Sequence, residues 1–315
     1  TIHAACVDCH PEAASTWQGS LHHRSFSDSD FASAFAAEPR AVCRSCHAPE
    51  ADPTLGVTAG ALTDLGVACV TCHVARSPGG NGRRTARPTR GHPPLRSPEL
   101  ATASACASCH QFVFPDDPSR AMQATIDEHV QSPAADVPCI DCHMPRRPEL
   151  AGARDHGFAA SRDPAMLRSA VEVTAERVAA EGVTIELTPA SIGHAFPTGD
   201  LYRRVVVTAE AFDGARQVAG DFAILGRQFD AGHRVEQDTR LGAGGDYAPR
   251  RIELGLPGAA GLSVRWSVSY ERLDLPQHSD RAQEPFGSIE LYRGWLPPHD
   301  AGGSTSVNPR GPAPR

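Results

Sequence analysis

No stretch of this 315-residue sequence approaches the roughly 18 consecutive apolar residues that a membrane-crossing helix requires, so a helical span is excluded. A basic stripe is missing too: the formal charge is -7, which argues against nucleic acid as a partner. The exception to this acidity is RRTARPTR, residues 83 to 90, which reads as a solvated loop or as a contact for anionic groups or an acidic docking surface. Methionine is scarce, with only Met122, Met144 and Met166, so few thioether ligands are on offer to a metal. Nor is any cysteine left over once the sequence is sorted. All ten fall in five copies of one pattern: Cys6, Cys9 and His10; Cys43, Cys46 and His47; Cys69, Cys72 and His73; Cys106, Cys109 and His110; Cys139, Cys142 and His143.

A pair of cysteines at this spacing reads on its own as a redox dithiol, a zinc knuckle or a disulfide, and none of these demands histidine at the fifth position. Here every copy has it, which is the attachment signature of c-type haem. The spacing has a chemical reason. Two thiols separated by two residues each add across one vinyl group of a haem, and the adjacent histidine is then held beneath the iron as its proximal ligand. Five covalent haems are therefore expected, with the ten cysteines as attachment points and His10, His47, His73, His110 and His143 as proximal ligands. Attachment of this kind takes place outside the cytoplasmic membrane. The chain is expected to be exported, periplasmic or extracellular, in a mature form without its signal peptide.

The two halves differ in pattern. Residues 1–165 hold every motif, and the sequence between them is rich in Ala, Pro, Gly and Ser, too poor in bulky apolar groups to build a side-chain core. Short helices at the motifs, long loops and little or no sheet are expected there, packed around a haem stack. In 166–299 the period changes to two. AVEVTAERV and VTIELT, joined by AAEG, read as a hairpin, and RRVVVTAEAF, VAGDFAILG, RRIELGL, LSVRWSVSYERL and GSIELYRGWL read as further strands. Seven short strands predict an all-β, immunoglobulin-like sandwich. Residues 300–315 have almost nothing to bury and read as a flexible tail.

Ten histidines remain for the second axial positions: His3, His22, His23, His92, His129, His156, His194, His233, His278 and His299. Around them the sequence resembles the multihaem cytochromes c, the family that includes the tetrahaem electron acceptor of hydroxylamine oxidoreductase and larger relatives with a C-terminal β-domain. The residues that carry the resemblance are Trp17, Ser20 and His22; Gly66 and Val67 before Cys69; Met144 and Pro145 after His143; His156 and Phe158, followed by Asp163, Pro164, Met166 and Leu167; and the loop from Gly193 to Gly199 through His194, Phe196, Pro197 and Thr198.

The resemblance implies that His22 is a distal ligand, and a helix continued from Pro11 would set Ala14, Trp17 and Leu21 in an apolar stripe, with His22 and His23 facing different ways. It likewise implies His92, His156 and His194 as distal ligands, the last in a loop between strands. His129 departs from the family, which has tryptophan after the glutamate where this chain has Glu128 and His129. On a helix through residues 119–132, Met122, Ile126, His129 and Val130 would share a face, which makes His129 either a fifth distal ligand or a core histidine. His3, on a free end, and His23 are the alternatives. His233, His278 and His299 read as surface residues. Since Met144 is too close to His143 to reach the opposite face, bis-histidine ligation is expected at most irons.

The function expected on these grounds is electron transfer along the five haems, between a redox-protein donor and acceptor, as a discrete carrier or as copies stacked into a filament. The alternative is a multihaem oxidoreductase acting on a small nitrogen or sulfur compound, which needs an iron with an open position.

Overall fold

Each Cys-x-x-Cys pair lies in a helix, which the following histidine closes in every motif but the first. In the computed structural model, which describes residues 2–51, 60–74, 98–115, 117–230, 234–273, 284–299 and 305–307, the helices in chain order are α1 (Ile2–Cys9), α2 (Pro11–Gln18), α3 (Ser29–Ala37), α4 (Ala41–His47), α5 (Cys69–His73), α6 (Ser104–His110), α7 (Thr125–Val130), α8 (Cys139–His143) and α9 (Pro164–Ser169). The chain divides into two compact units, Thr1–Cys109 with Val137–Ala159 and His110–Asp136 with Ala160–Arg315. The second unit thus draws residues 110–136 out of the half that carries the motifs.

In the first unit the helix ends follow local chemistry. Pro11 opens α2 at a position where its missing N–H has no partner to lose, and the Asp28 carboxylate accepts from the Asp30 N–H at the start of α3. Helices of five residues such as α5 and α8 are far too short to persist alone, so packing must hold them. Side chains supply little of it. Among the described residues of this unit the buried apolar side chains are Ala14, Trp17, Ala48, Pro49, Ala51, Ala68 and Val70.

The second unit is antiparallel throughout. Its strands are β1 (Gln111–Phe114), β2 (Asp117–Ala124), β3 (Val171–Ala179), β4 (Gly182–Pro189), β5 (Arg203–Asp213), β6 (Arg216–Phe229), β7 (Val235–Asp238), β8 (Arg250–Gly255), β9 (Ser263–Arg272), β10 (Gly287–Leu296) and β11 (Thr305–Val307). One sheet runs β10-β9-β5-β6-β7 and another β11-β3-β4-β8, while β1 and β2 pair separately. The period of two decides what is buried. Val171, Val173 and Ala175 of β3 and Val183, Ile185 and Leu187 of β4 point inward and meet Val205, Val207, Trp266, Val268 and Leu291 of the larger sheet in one apolar core. Each such side chain contributes about 1.5–3 kcal/mol by leaving water. The expected hairpin forms with Val173 opposite Leu187, and all seven expected strands are present.

Four expectations need correction. The segment 119–132 is not one helix: residues up to Ala124 form β2, because the aromatic and β-branched run of β1 pairs with them and overrides helix propensity, so Met122 lies on a strand and only α7 follows. Sheet is therefore present in the first half of the sequence. α2 ends at Gln18 with Gly19 as its cap, so His22 and His23 lie in turns beyond it and not on its wheel. In the tail, Thr305–Val307 pairs with β3 as an edge strand.

Candidate haem sites

Within the attachment helices, residues three and four apart share a face, so both thiols and the histidine of each motif present together. The thiols of different motifs also lie together. Cys46 is hydrogen-bonded to Cys109, with its Sγ 4.0 Å from the Ser108 carbonyl, and Cys106 is hydrogen-bonded to Cys139. Cys6 lies near Cys69 and Cys72 near Cys106, and α1 packs on α5. Hydrogen bonding to Cys109, with burial, holds the Cys46 thiol well above its ordinary pKa, as bonding to Cys139 and burial do for Cys106. Burial, aided by Cys6, pushes Cys69 up to about 11. A redox dithiol needs the opposite shift. No disulfide forms, and the described residues contain no group of three or more histidine, cysteine or acidic ligands, as a zinc or iron–sulfur centre would need. What remains is a set of thiol pairs, each beside an imidazole, in a unit short of apolar packing. That donor set fits haem, whose macrocycle would supply the missing core.

The five motif histidines differ in their settings. His47 has its Nδ1 2.8 Å from the Ser25 carbonyl, and His143 has its Nδ1 2.8 Å from that of Ala159. A carbonyl only accepts, so each Nδ1 carries the proton and each Nε2 keeps its lone pair, the state a metal-bound histidine requires. The His47 ring stacks on Phe31 at 3.8 Å, beside Phe26 and Phe35, over both of which Arg44 lies. Burial holds His73 below the ordinary imidazole pKa, with His156 and His10 adding to the effect. His10 caps α2, and His110 ends α6 immediately before β1.

The third motif gathers the most partners. The Gly66 backbone is left-handed (φ 55°), and a Cβ there would stand 2.3 Å from the carbonyl oxygens of His22 and His23. The Val67 N–H donates to the His22 carbonyl at 2.8 Å, and the Trp17 indole donates to the Val67 carbonyl at 2.9 Å. Opposite His73 lies His156, the ring centroids 6.3 Å apart. The His156 backbone N–H donates to Thr16 Oγ1, its Nδ1 lies 3.0 Å from the Arg154 carbonyl, and burial lowers its pKa. Phe158, itself left-handed at φ 51°, stands edge-on to both His22 (4.1 Å) and His156 (6.1 Å).

His23 is tethered as well, its Nδ1 2.9 Å from the Gln18 carbonyl, and its ring meets Trp17 at 4.2 Å. His3 is not on a loose end. It is 9% exposed within α1, its ring 4.9 Å from that of Trp17. His92 lies outside the described residues, as do His233, His278 and the arginine cluster at 83–90. In the second unit His129 is buried with its Nδ1 2.6 Å from the Gly193 carbonyl, and the His194 Nδ1 is 3.0 Å from the Ala195 carbonyl. Val130, placed beside His129 on the expected apolar stripe, is 68% exposed. Ser25, Thr16 and Arg154 were not foreseen. Each acts through hydrogen bonds that leave no pattern in a sequence.

Helices that present thiol pairs with a following imidazole, among further buried and tethered histidines, are the arrangement that c-type haem attachment calls for. Residues 5–74 match the family of cytochrome c554 and c-prime. The fold is similar to that of a penta-heme cytochrome c552 from Thermochromatium tepidum, with a TM-score of 0.70 and 20% identity over 94% of this chain and 99% of that one. No curated protein matches the chain. Both likenesses point toward the multihaem cytochromes c. No helix of the described residues is long and apolar enough to cross a membrane.

Proposed function

We propose that this protein carries electrons between redox partners in an exported compartment, using five c-type haems held by the ten cysteines, with two imidazoles at most irons. Bound haem supplies the one-electron couple, and the chain supplies position, burial and charge. The observation that carries the reading is how near the thiols of different motifs lie to one another. Cys6 beside Cys69, Cys72 beside Cys106, Cys106 bonded to Cys139 and Cys46 bonded to Cys109 bring all five attachment pairs into one contiguous series. In that series the fourth motif is the meeting point of the second, third and fifth.

His73 and His156 are the pair best suited to one iron. Two imidazoles on a single metal, each nitrogen about 2 Å from it, have ring centroids about 6 Å apart, which agrees with the separation found. The support for His22, His129 and His194 is their packing and tethering, and for His92 the sequence alone. His23 meets the tautomer requirement and stands as the alternative to His22. The two sheets that share one core are read as an immunoglobulin-like sandwich, an extra domain for docking or shielding.

Intact-mass measurement of the exported protein, with its ferric spectrum, tests the reading. Five haem additions and purely low-spin six-coordinate iron are expected. Fewer additions would overturn the count, and a high-spin band together with turnover of nitrite or hydroxylamine would favour an enzyme.

A further inference from the structure

The second unit holds a buried charge cluster directly beside two of the candidate ligands. Glu128 precedes His129 in α7. Its Oε1 accepts from Arg227 Nη2 at 3.0 Å and from Arg240 Nη2 at 2.7 Å, and its Oε2 accepts the Thr198 hydroxyl proton. Arg240 also grips both oxygens of Asp238, and its Nη1 donates to the Pro197 carbonyl at 2.8 Å. Thr125 of α7 meets Thr198 at 3.1 Å. All three of Glu128, Arg227 and Arg240 are buried to about a tenth exposure or less.

These contacts share one geometry. The loop from Gly193 to Gly199 is tied to α7 at its start, where the His129 Nδ1–H donates to the Gly193 carbonyl, and at its end, where Thr198 bonds to Glu128. His194 lies between the ties. The charges also close on themselves, with two carboxylates, Glu128 and Asp238, facing two guanidinium groups, Arg227 and Arg240. Glu128 is the member that belongs to both systems: it lies on the His129 helix and joins the arginine pair to Thr198 of the ligand loop, which Arg240 also reaches through the Pro197 carbonyl. A buried pair of this kind is weak as a source of stability but strong as a device for fixing one arrangement, because breaking it leaves a charge without a partner.

We propose that Glu128 is a positioning residue for a two-histidine station, in which it holds His129 and the His194 loop so that both Nε2 atoms are presented to iron, and in which its charge lowers the reduction potential there. The proposal rests on the reading of His129 and His194 as ligands. A nearby anion favours the more positive ferric state, so its removal raises the potential.

The test uses the haem-loaded, exported protein. Glu128→Ala is expected to lose the low-spin electron paramagnetic resonance signal of at least one haem, with recovery on addition of imidazole. Glu128→Gln keeps the shape and is expected to stay low-spin while one midpoint potential shifts upward. Glu271→Gln serves as control, because it weakens another buried ion pair, with Arg204 at 2.7 Å, that joins β5 to β9. If Glu128→Ala does not load, the upward shift in Glu128→Gln carries the test. Unchanged potentials and spin states in both Glu128 variants, or equal changes in Glu271→Gln, would overturn the proposal. His129→Ala and His194→Ala separate the two levels. If neither removes a low-spin signal, the ligand reading falls and the proposal with it; if either does while the Glu128 variants change nothing, only the positioning role falls.

Discussion

At the scale of single residues, one close contact in the first unit depends on an atom that is not there. Gly66 has no Cβ, and only that lets the turn carrying His22 and His23 press its carbonyls onto the backbone ahead of the third motif. Gly66→Ala should therefore destabilise by more than about 1 kcal/mol, since alanine is strained at this φ and its methyl meets backbone atoms. Thermal unfolding of the holo-protein measures this, and an unchanged midpoint would contradict it. The sequence marked Gly66 and Val67 as features of a family without saying why. The reason is the Val67–His22 hydrogen bond and the Trp17 indole above it. Phe158 is similar: legible as part of a motif, while its place between His22 and His156 is a product of folding.

At the scale of elements, the attachment helices are too short to stand by themselves and lean on side chains from elsewhere. Arg154 holds the end of α8 by donating to the Ile140 carbonyl at 2.8 Å, the Met144 carbonyl at 3.0 Å and Asp141 at 2.7 Å. Arg154→Ala should cost about 2 kcal/mol and weaken incorporation at the fifth motif, seen as a fraction of product one haem short by mass. The β6–β7 pair offers a test by acid. Burial alone would raise the Asp238 pKa, but the hydrogen bonds and charge of Arg240, with Arg227, hold it below the ordinary value. A depressed native pKa gives stability that is complete above the unfolded value of about 4 and fades as pH falls through the native one. Asp238→Asn should thus be less stable than the native chain at pH 7, with the gap closing toward acid in a series of thermal melts. A gap constant with pH would refute this.

At the scale of the molecule, the two units differ in what holds them. The second has its own apolar core around Trp266, Ile185 and Leu187, all fully buried; the first has Trp17 and a few small side chains. Chain made without haem should keep antiparallel-sheet circular dichroism and a cooperative transition reported by buried Trp266, while helical signal from the first unit is lost. Loss of the sheet signal as well would show that the second unit depends on the cofactor. The charge balance belongs to this scale too. The chain contains no lysine, so all 30 basic residues are arginine, and every buried cation, such as Arg177 with its ring of carbonyl acceptors, is a planar fork able to serve several oxygens at once.

The sequence by itself determined the covalent chemistry and the period of the strands. A thiol pair followed by histidine is a local pattern that needs no fold to be recognised, and alternation of Val171, Val173 and Ala175 with exposed residues sets a strand's inner face from the chain alone. Tertiary structure decided the rest: which histidines are buried and which tautomer they hold, that residues 117–124 pair as a strand, and that Glu128 meets arginines about a hundred residues away. Those outcomes depend on contacts between segments far apart in sequence. No local propensity encodes them, because the same glutamate or histidine is equally content in water until the fold brings its partner.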